Sequence, residues 1–311
     1  MADACAVHSD RTTPFLADVS AAAPRARIAL SLSAVYLLGG SNYAAIAFAL
    51  DGFEPFTMLA LRFLTAGAVL GILTTLWVET GGRTRRIYAD VVLGLLLLGG
   101  TFGGIALAQT RIDSGLVAVV LATAPVWATA VGFPFGERPV WREWLGFVLC
   151  LSGITALLGI GAETPDPVGL AFALLAALSL AAGSAMTRRL PPAPPIGAAA
   201  IQMISAGLAF VAAAIWAGEA FPVPVPVGPT VAIAHQSLLC SVVAFTAFVF
   251  LLGATRSSVA TSFVYVNPMI ALALGAFLLG ESVAPVAFIA IGCTLIGVLL
   301  IVSTADTEKR P

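Results

Sequence analysis

The chain has 311 residues, of which 59% are hydrophobic and only 10% are charged, and its net charge is −1. A soluble globular protein carries roughly 25% charged residues, so this composition excludes an ordinary soluble domain and predicts a lipid environment. There is no basic excess, which argues against a nucleic-acid partner.

Residues 1–27 and 304–311 are more polar than the rest of the chain, and the N-terminal stretch lacks the apolar core of a signal peptide. We expect both to be cytoplasmic tails, the first of them disordered. The four cysteines have no metal-ligand spacing, so the sequence predicts neither a metal site nor a cofactor.

Between the tails lie ten apolar runs, each long enough for a helix that crosses a hydrocarbon core about 30 Å thick. A helix satisfies its own backbone hydrogen bonds, as lipid requires. The predicted fold class is therefore an all-α integral membrane protein with ten transmembrane helices. These spans 1 to 10 are 28–50, 56–78, 88–110, 115–135, 142–162, 167–188, 196–218, 230–254, 258–280 and 284–303.

The distribution of positive charge predicts the orientation. Of the 15 Lys and Arg residues, 13 lie in the two tails and the loops that would share their side, while Arg111 is alone in the loops of the opposite side. Because Lys and Arg accumulate on the cytoplasmic side, both termini are expected in the cytoplasm. A bacterial inner membrane is the expected location.

The two halves of the sequence resemble each other. "ATAPVWATAVGFPFGER" (122–138) is similar to "VYVNPMIALALGAFLLGES" (264–282), and "FTMLALRFLTAG" (56–67) overlays "IGAAAIQMISAG" (196–207) without a gap. Each half, 28–162 and 167–303, contains five spans. Because five is odd, the second copy must cross the membrane in the opposite sense, so we predict two inverted five-helix repeats. Such repeats are typical of secondary transporters.

Each half ends in a Pro, then Gly-Glu, then a Gly-rich last span, and span 2 contains "LALRF". In these features the chain resembles the EamA units of the drug/metabolite transporter superfamily, over about 28–303. The resemblance implies a basket of ten helices with a central cavity lined by spans 1, 3, 4, 6, 8 and 9. It also implies efflux of amino acids or other small metabolites, and the chain looks most like the exporters of aromatic amino acids.

Polar and aromatic side chains within the lining spans are the candidates for substrate contact. They are few and mostly aromatic, which suits a substrate with a large apolar side chain. For each of them the alternative is ordinary packing between helices. The predicted substrate-binding residues are Asn42, Tyr43, Trp127, His235, Tyr265 and Asn267.

Two prolines interrupt aligned spans, Pro125 in span 4 and Pro268 in span 9. Each removes an N–H and leaves the carbonyl four residues earlier without its usual donor. We hypothesise that the two bends are matched hinges that gate the cavity; the alternative is a pair of static kinks needed for packing.

The spans carry little charge. No Asp or Glu is expected deep in a span, which predicts a facilitator rather than coupling through a buried acid. Glu137 and Glu281 stand at helix ends, where capping is the expected role. Arg62 in span 2 is expected to snorkel outward or to pair with an outer-loop acid such as Asp51 or Glu54; the alternative is a grip on a substrate carboxylate.

The predicted function is therefore alternating-access export of amphipathic small molecules, aromatic amino acids first, with the lipid bilayer and the substrate as partners. Without Lys or Arg at the midplane, phosphate esters are disfavoured. A broader amino acid exporter, for example of threonine or homoserine, or a drug exporter is the alternative within the class. A receptor or an intramembrane enzyme is the alternative outside it, but no catalytic constellation is present. The number of subunits is left open.

Overall fold

The structure is a computed structural model. It describes residues 14–76, 84–124, 165–187, 195–254 and 263–281, with single residues and short pieces between 127 and 152 and between 285 and 297. Most of predicted spans 5 and 10 lies outside the described residues, as do Pro125, Glu137 and the side chain of Tyr265. The described residues form helices and connecting loops, with no strand among them.

Eight helices follow one another in the described part of the chain, and they correspond to predicted spans 1–4 and 6–9. Residues 14–27, assigned from the sequence to a disordered tail, are helical from Pro14 onward. Two helices contain a π-helical piece between two α-helical pieces. The bounds are α1 Pro14–Leu50, α2 Pro55–Leu76, α3 Thr84–Leu93, Gly94–Gly100 (π) and Thr101–Gln109, α4 Ser114–Leu121, α5 Pro167–Thr187, α6 Pro195–Ala217, α7 Val227–Ala234, His235–Val243 (π) and Ala244–Ala254, and α8 Phe263–Leu278.

Six of these helices, α1, α2, α3, α5, α6 and α7, are long and apolar enough to cross a membrane, by length and composition. Four of them begin at a proline, Pro14, Pro55, Pro167 and Pro195, where the missing N–H costs nothing and the fixed φ favours the first turn. Large apolar side chains such as Trp216, which is 89% exposed, face outward. This pattern is expected of helices whose outer surface meets lipid.

Helices α2 and α6 pack along each other through small residues. A methyl group added at Gly67 would lie 2.7 Å from Ile204 Cγ1, and one added at Gly207 would lie 2.8 Å from Leu64 Cγ. In the ungapped overlay of the two halves, Gly67 aligns with Gly207 and Leu64 aligns with Ile204. The contact is thus reciprocal, as between two copies related by a twofold axis. Glycine at these positions lets the two backbones approach closely.

The first helix of each half, α1 and α5, packs against helices of the other half. α1 packs along α7 and α8, whereas α5 packs along α3 and α4. In each case the first helix of one half contacts the third and fourth helices of the other half. The interior of the described structure is therefore formed by helices from both halves of the chain.

Two Gly-Glu pairs join the halves at helix ends. Gly218 and Gly280 have φ of +71° and +68°, which ends a helix in a conformation that glycine adopts without strain. Glu219 accepts hydrogen bonds from the Phe56 and Thr57 backbone N–H groups at 3.0 and 2.7 Å, at the start of α2. Glu281 accepts from the N–H groups of Ser114 and Gly115 at 2.9 and 3.3 Å, at the start of α4.

The capping role expected for Glu281 is therefore present, but the helix that it caps belongs to the other half of the chain. A carboxylate there satisfies orphan N–H groups and complements the positive end of the helix dipole. Glu219 has the same role, which the sequence analysis did not predict. The aligned Glu137 lies outside the described residues.

Candidate functional site

His235 of span 8 and Asn267 of span 9 lie against the middle of α1, on different sides of it. Ser41 Oγ lies 3.1 Å from His235 Nε2 of α7, so the two are within hydrogen-bond distance. On the other side of α1, a methyl group placed at Gly39 would lie 2.7 Å from Asn267 Nδ2 of α8. The small residues Gly39, Gly40 and Ser41 thus let two neighbouring helices bring polar side chains against α1.

Asn42 and Asn267 are buried, with 6% and 9% of their surface exposed. The Oδ1 atom of each is inaccessible and has no hydrogen-bond partner. Buried carbonyl oxygens are nearly always paired in folded proteins, so two unpaired ones on neighbouring helices need an explanation.

Two of the three aromatic candidates, Tyr43 and Trp127, pack within or against the apolar core. Tyr43 is buried in the main apolar core, and Trp127 packs against the same core while its Nε1 donates to Thr123 Oγ1 at 3.1 Å. The structure therefore places Tyr43 and Trp127 in one apolar cluster. Tyr265 precedes Asn267 on α8 by two residues, and its side chain lies outside the described residues.

The structure describes the backbone at Pro268 and just before Pro125. Helix α8 continues through the buried Pro268, from Phe263 to Leu278. Helix α4 ends at Leu121, where the backbone turns with Thr123 N–H bonded to Val120 O at 3.1 Å. The break in α4 lies just before Pro125, whose own position lies outside the described residues. The matched-hinge hypothesis stays a prediction.

Arg62 does not behave as expected from the sequence. It is only 2% exposed, and it neither snorkels outward nor pairs with Asp51 or Glu54. Its Nε donates to Ser241 Oγ at 3.1 Å and its Nη1 donates to Gln236 Oε1 at 3.2 Å. The expectation was wrong because α7, which sequence spacing alone does not place beside α2, offers closer partners.

Two aromatic rings complete the surroundings of Arg62, and its partner Gln236 makes a further hydrogen bond to α1. Its guanidinium carbon lies 4.3 Å from the ring centroid of Phe102 and 4.9 Å from that of Phe63, within the range of cation–π attraction. Gln236 Nε2 donates in turn to Ala45 O of α1 at 2.9 Å. Arg62 therefore ties α2 to α7, and Gln236 ties α7 to α1. Among the residues that the structure describes, no carboxylate pairs with this guanidinium.

The π-helical piece of α7 explains how two of its side chains reach one cation. Gln236 and Ser241 are five residues apart, which in an α-helix places them on different faces. The wider π-helical turn bonds residues five apart and brings such positions above one another. The other π-helical piece begins at Gly94, which is 141 residues before His235 and close to the offset that aligns the two halves elsewhere. Periodicity of 3.6 residues could not predict either piece.

Asp90 of α3 is a second residue missed from the sequence. It is 3% exposed, and its Oδ1 lies 3.5 Å from Gln202 Nε2 of α6. Gln202 aligns with Arg62 in the overlay of the two halves. Both aligned positions thus hold a polar contact with the third helix of the other half. Asp90 is the third residue of predicted span 3, and the expectation that acids are absent concerned only positions deep in a span.

No group of three or more His, Cys, Asp and Glu side chains that could hold a metal ion occurs in the part of the chain that the structure describes. The polar groups around α1 are instead amides, hydroxyls, a thiol and one imidazole, with the Arg62 guanidinium joined to them through Gln236. Such a site can orient a small amphipathic molecule.

The fold and these residues define an integral, multi-pass membrane protein with a sparsely polar interior. The sequence matches the EamA-like transporter family twice, over residues 27–159 and 167–303. The chain belongs to this family, and it is therefore a membrane transporter of the drug/metabolite superfamily.

Two relatives and one solved structure are similar to most of the chain. The uncharacterized inner membrane transporter YedA of Escherichia coli (strain K12) is 30% identical over 272 residues, 87% of this chain and 89% of that protein. A Streptantibioticus cattleyicolor protein named "Probable terminal-alkyne amino-acid exporter" is 23% identical over 273 residues, 84% of this chain and 88% of that protein. A crystal structure that is 20% identical covers 89% of this chain and 99% of its own, with a TM-score of 0.62, and shares the fold.

Proposed function

We propose that the protein exports amino acids with a large apolar side chain, aromatic ones first, across a bacterial inner membrane. The observation that carries the proposal is the set of polar groups at α1, where Ser41, Asn42, His235 and Asn267 lie in a largely apolar interior beside the buried Arg62–Gln236–Ser241 group. A largely apolar interior with few polar groups favours an apolar side chain and fixes a small polar head with few hydrogen bonds. The amino-acid exporter among the relatives supports the same substrate class.

The mechanism proposed is alternating access between two inverted five-helix halves, 28–162 and 167–303, in a basket of ten helices with cytoplasmic tails 1–27 and 304–311. The reciprocal contact of Gly67 and Gly207 supports a twofold relation between the halves. The exchange of partners by α1 and α5 supports it as well. Two related halves that trade conformations would expose one central site to each side in turn.

A second candidate is the export of amino acids with smaller apolar side chains. It is favoured by the relative from Streptantibioticus cattleyicolor, whose name specifies terminal-alkyne amino acids. The two candidates differ in the volume of the side chain that the pocket must hold, so one panel of substrates separates them.

The test is flux into and out of proteoliposomes with a labelled panel of phenylalanine, tyrosine, tryptophan, leucine and threonine. The proposal expects the aromatic members to move faster than in protein-free liposomes and faster than threonine. Aromatic flux no greater than in protein-free liposomes would refute the first candidate. The same assay with a pH gradient tests the facilitator expectation, because a facilitator changes the rate but not the accumulation at equilibrium.

A further inference from the structure

Two buried amide oxygens, one on α1 and one on α8, have no hydrogen-bond donor among the described residues. Asn42 Oδ1 on α1 and Asn267 Oδ1 on α8 are both buried and both without a partner. An unpaired buried oxygen is costly, and more so away from water in a membrane interior. Two such oxygens on neighbouring helices can together pair with one donor group of a molecule that the protein binds.

The Asn42 and Asn267 side chains lie within about one helical turn of each other along α1. Gly39 and Asn42 are three residues apart on α1, about 4.5 Å along the axis and on adjoining faces. The Asn267 amide lies directly against Gly39, with its Nδ2 and Oδ1 only 2.7 and 3.0 Å from where a β-carbon would stand. Glycine at 39 therefore makes the room that Asn267 occupies, within one helical turn of Asn42.

A third acceptor lies on the same helix. Pro268, inside α8, has no N–H to give to the carbonyl of Val264 one turn earlier. The Val264 carbonyl points along the axis of α8 toward the turn that holds Asn267 and Pro268. The two unpaired amide oxygens of Asn42 and Asn267 are thus accompanied by a backbone carbonyl that Pro268 deprives of its regular α-helical donor.

We propose that Asn42, Asn267 and the Val264 carbonyl form an ammonium-binding subsite. A primary ammonium carries three N–H donors, which matches the two unpaired amide oxygens and the carbonyl that Pro268 leaves without its regular donor, and neutral carbonyls accept a cation without a permanent counter-charge in the membrane. The ligand class is a protonated primary amine, here the α-amino group of the amino acid. This inference rests on the proposed function and adds to it the part of the substrate that the protein recognises.

The subsite also assigns a role to the Asn-Pro pair of α8. Proline frees the backbone oxygen, and the asparagine before it supplies the side-chain oxygen beside it. The pair is then a binding element, whether or not the helix also bends there during transport.

The test uses the isosteric variants Asn42→Leu and Asn267→Leu in the purified full-length protein in nanodiscs. Binding is measured for four probes: L-phenylalanine, 2-phenylethylamine, which lacks the carboxylate, 3-phenylpropionate, which lacks the amine, and n-butylamine, which lacks the ring. Each variant is expected to bind the three amines about 10- to 100-fold more weakly and to bind 3-phenylpropionate as the wild type does. Asn→Asp variants should retain amine binding, because the acceptors remain.

A thermal readout separates this role from a structural one. Replacing an unpaired buried amide by leucine is expected to leave the melting temperature unchanged or to raise it, whereas an amide that holds the helices together would lower it. Gln109→Leu is the matched control, because both amide atoms of Gln109 are buried and unpaired on a different helix. This control should change neither amine binding nor its selectivity.

Several outcomes overturn the inference: amine binding that is unchanged in both variants, an equal loss for 3-phenylpropionate, or the same loss in Gln109→Leu. A wild-type protein that binds no amine at all also overturns it, as does a loss that appears only when sodium is present, since the oxygens would then hold sodium. If the wild type binds n-butylamine but neither aromatic amine, the aromatic proposal fails while the ammonium subsite is still tested by n-butylamine. Binding of phenylalanine that persists in both variants leaves the proposed function intact and refutes the subsite alone.

Discussion

Replacing Arg62 by methionine tests whether this buried cation is held by neutral partners. The change removes two hydrogen bonds, to Ser241 and Gln236, and two ring contacts, with Phe63 and Phe102. Side-chain hydrogen bonds between membrane helices contribute about 0.6 kcal/mol on average and up to about 1.7 kcal/mol. The loss of these contacts is partly offset, because methionine removes the cost of desolvating the buried guanidinium. We expect the free energy of unfolding to fall by about 1–3 kcal/mol.

The assay is unfolding in mixed detergent micelles with increasing SDS, followed by far-UV circular dichroism. A double-mutant cycle with Gln236→Leu should give a coupling of about 1 kcal/mol, because each single variant leaves one member of the Arg62–Gln236 pair without its partner, whereas the double variant removes both members. Breaking a buried ion pair costs more, about 3–5 kcal/mol. An Arg62→Met cost in that higher range without coupling to Gln236 would refute the reasoning and indicate a carboxylate partner.

Three further predictions concern contacts between the halves and at the loops. Gly207→Ala should destabilise the protein by about 1–3 kcal/mol in the same assay, because its methyl group would overlap α2; a neutral change would contradict the close approach. Glu281→Gln should increase hydrogen exchange at the start of α4, at the N–H of Ser114, by up to about fivefold, since a charged cap is worth about 1 kcal/mol; unchanged exchange would exclude the cap. Hydrogen bonds from the backbone N–H of Val168, first, and from the Arg111 side chain lower the pKa of Asp166. The contribution of Asp166 to stability is therefore present above the usual Asp pKa and is lost as the pH falls through the lowered value. Arg111→Ala should reduce that acid-side loss, and an unchanged pH profile of the melting temperature would contradict the ion pair.

The Gly-Glu pairs have a consequence for transport. Glu281 follows α8 and holds the first turn of α4, so the carboxylate joins two helices of different halves at one end of the molecule. Any conformation that separates α8 from α4 at this end must break these two hydrogen bonds. Glu219 joins α6 to α2 in the same way, through three hydrogen bonds. The second junction adds to the close glycine-mediated contact of α2 and α6, which favours these two helices as the more rigid pair.

Part of the site could be predicted from residue type and position. Asn42, His235 and Asn267 are polar residues in apolar spans, and such residues are expensive unless they are paired or functional. The structure brings His235 and Asn267 against α1, which carries Asn42, although the two contact different faces of that helix. Arg62 was singled out for the same reason, but its partners were wrong, because partners on a helix 174 residues away leave no local signal.

Other features had no signal in one sequence. The π-helical pieces in α3 and α7 follow from how helix contacts are best satisfied, since a single extra residue in a turn changes which side chains share a face. The capping of α4 by Glu281 was predicted in kind but not in partner, because a carboxylate at a helix end caps whichever N-terminus packs beside it.

Composition and span length were enough to predict a helical membrane protein, because lipid imposes helical backbone pairing and apolar surfaces on any chain that crosses it, and the resemblance of each half to EamA units predicted the family. These constraints are local, and each span satisfies them alone. Which side chains share a site depends instead on how the halves exchange helices, and this is a property of the packed whole. Only there does the Asn267 amide fit against Gly39, with its oxygen left unpaired one turn from that of Asn42.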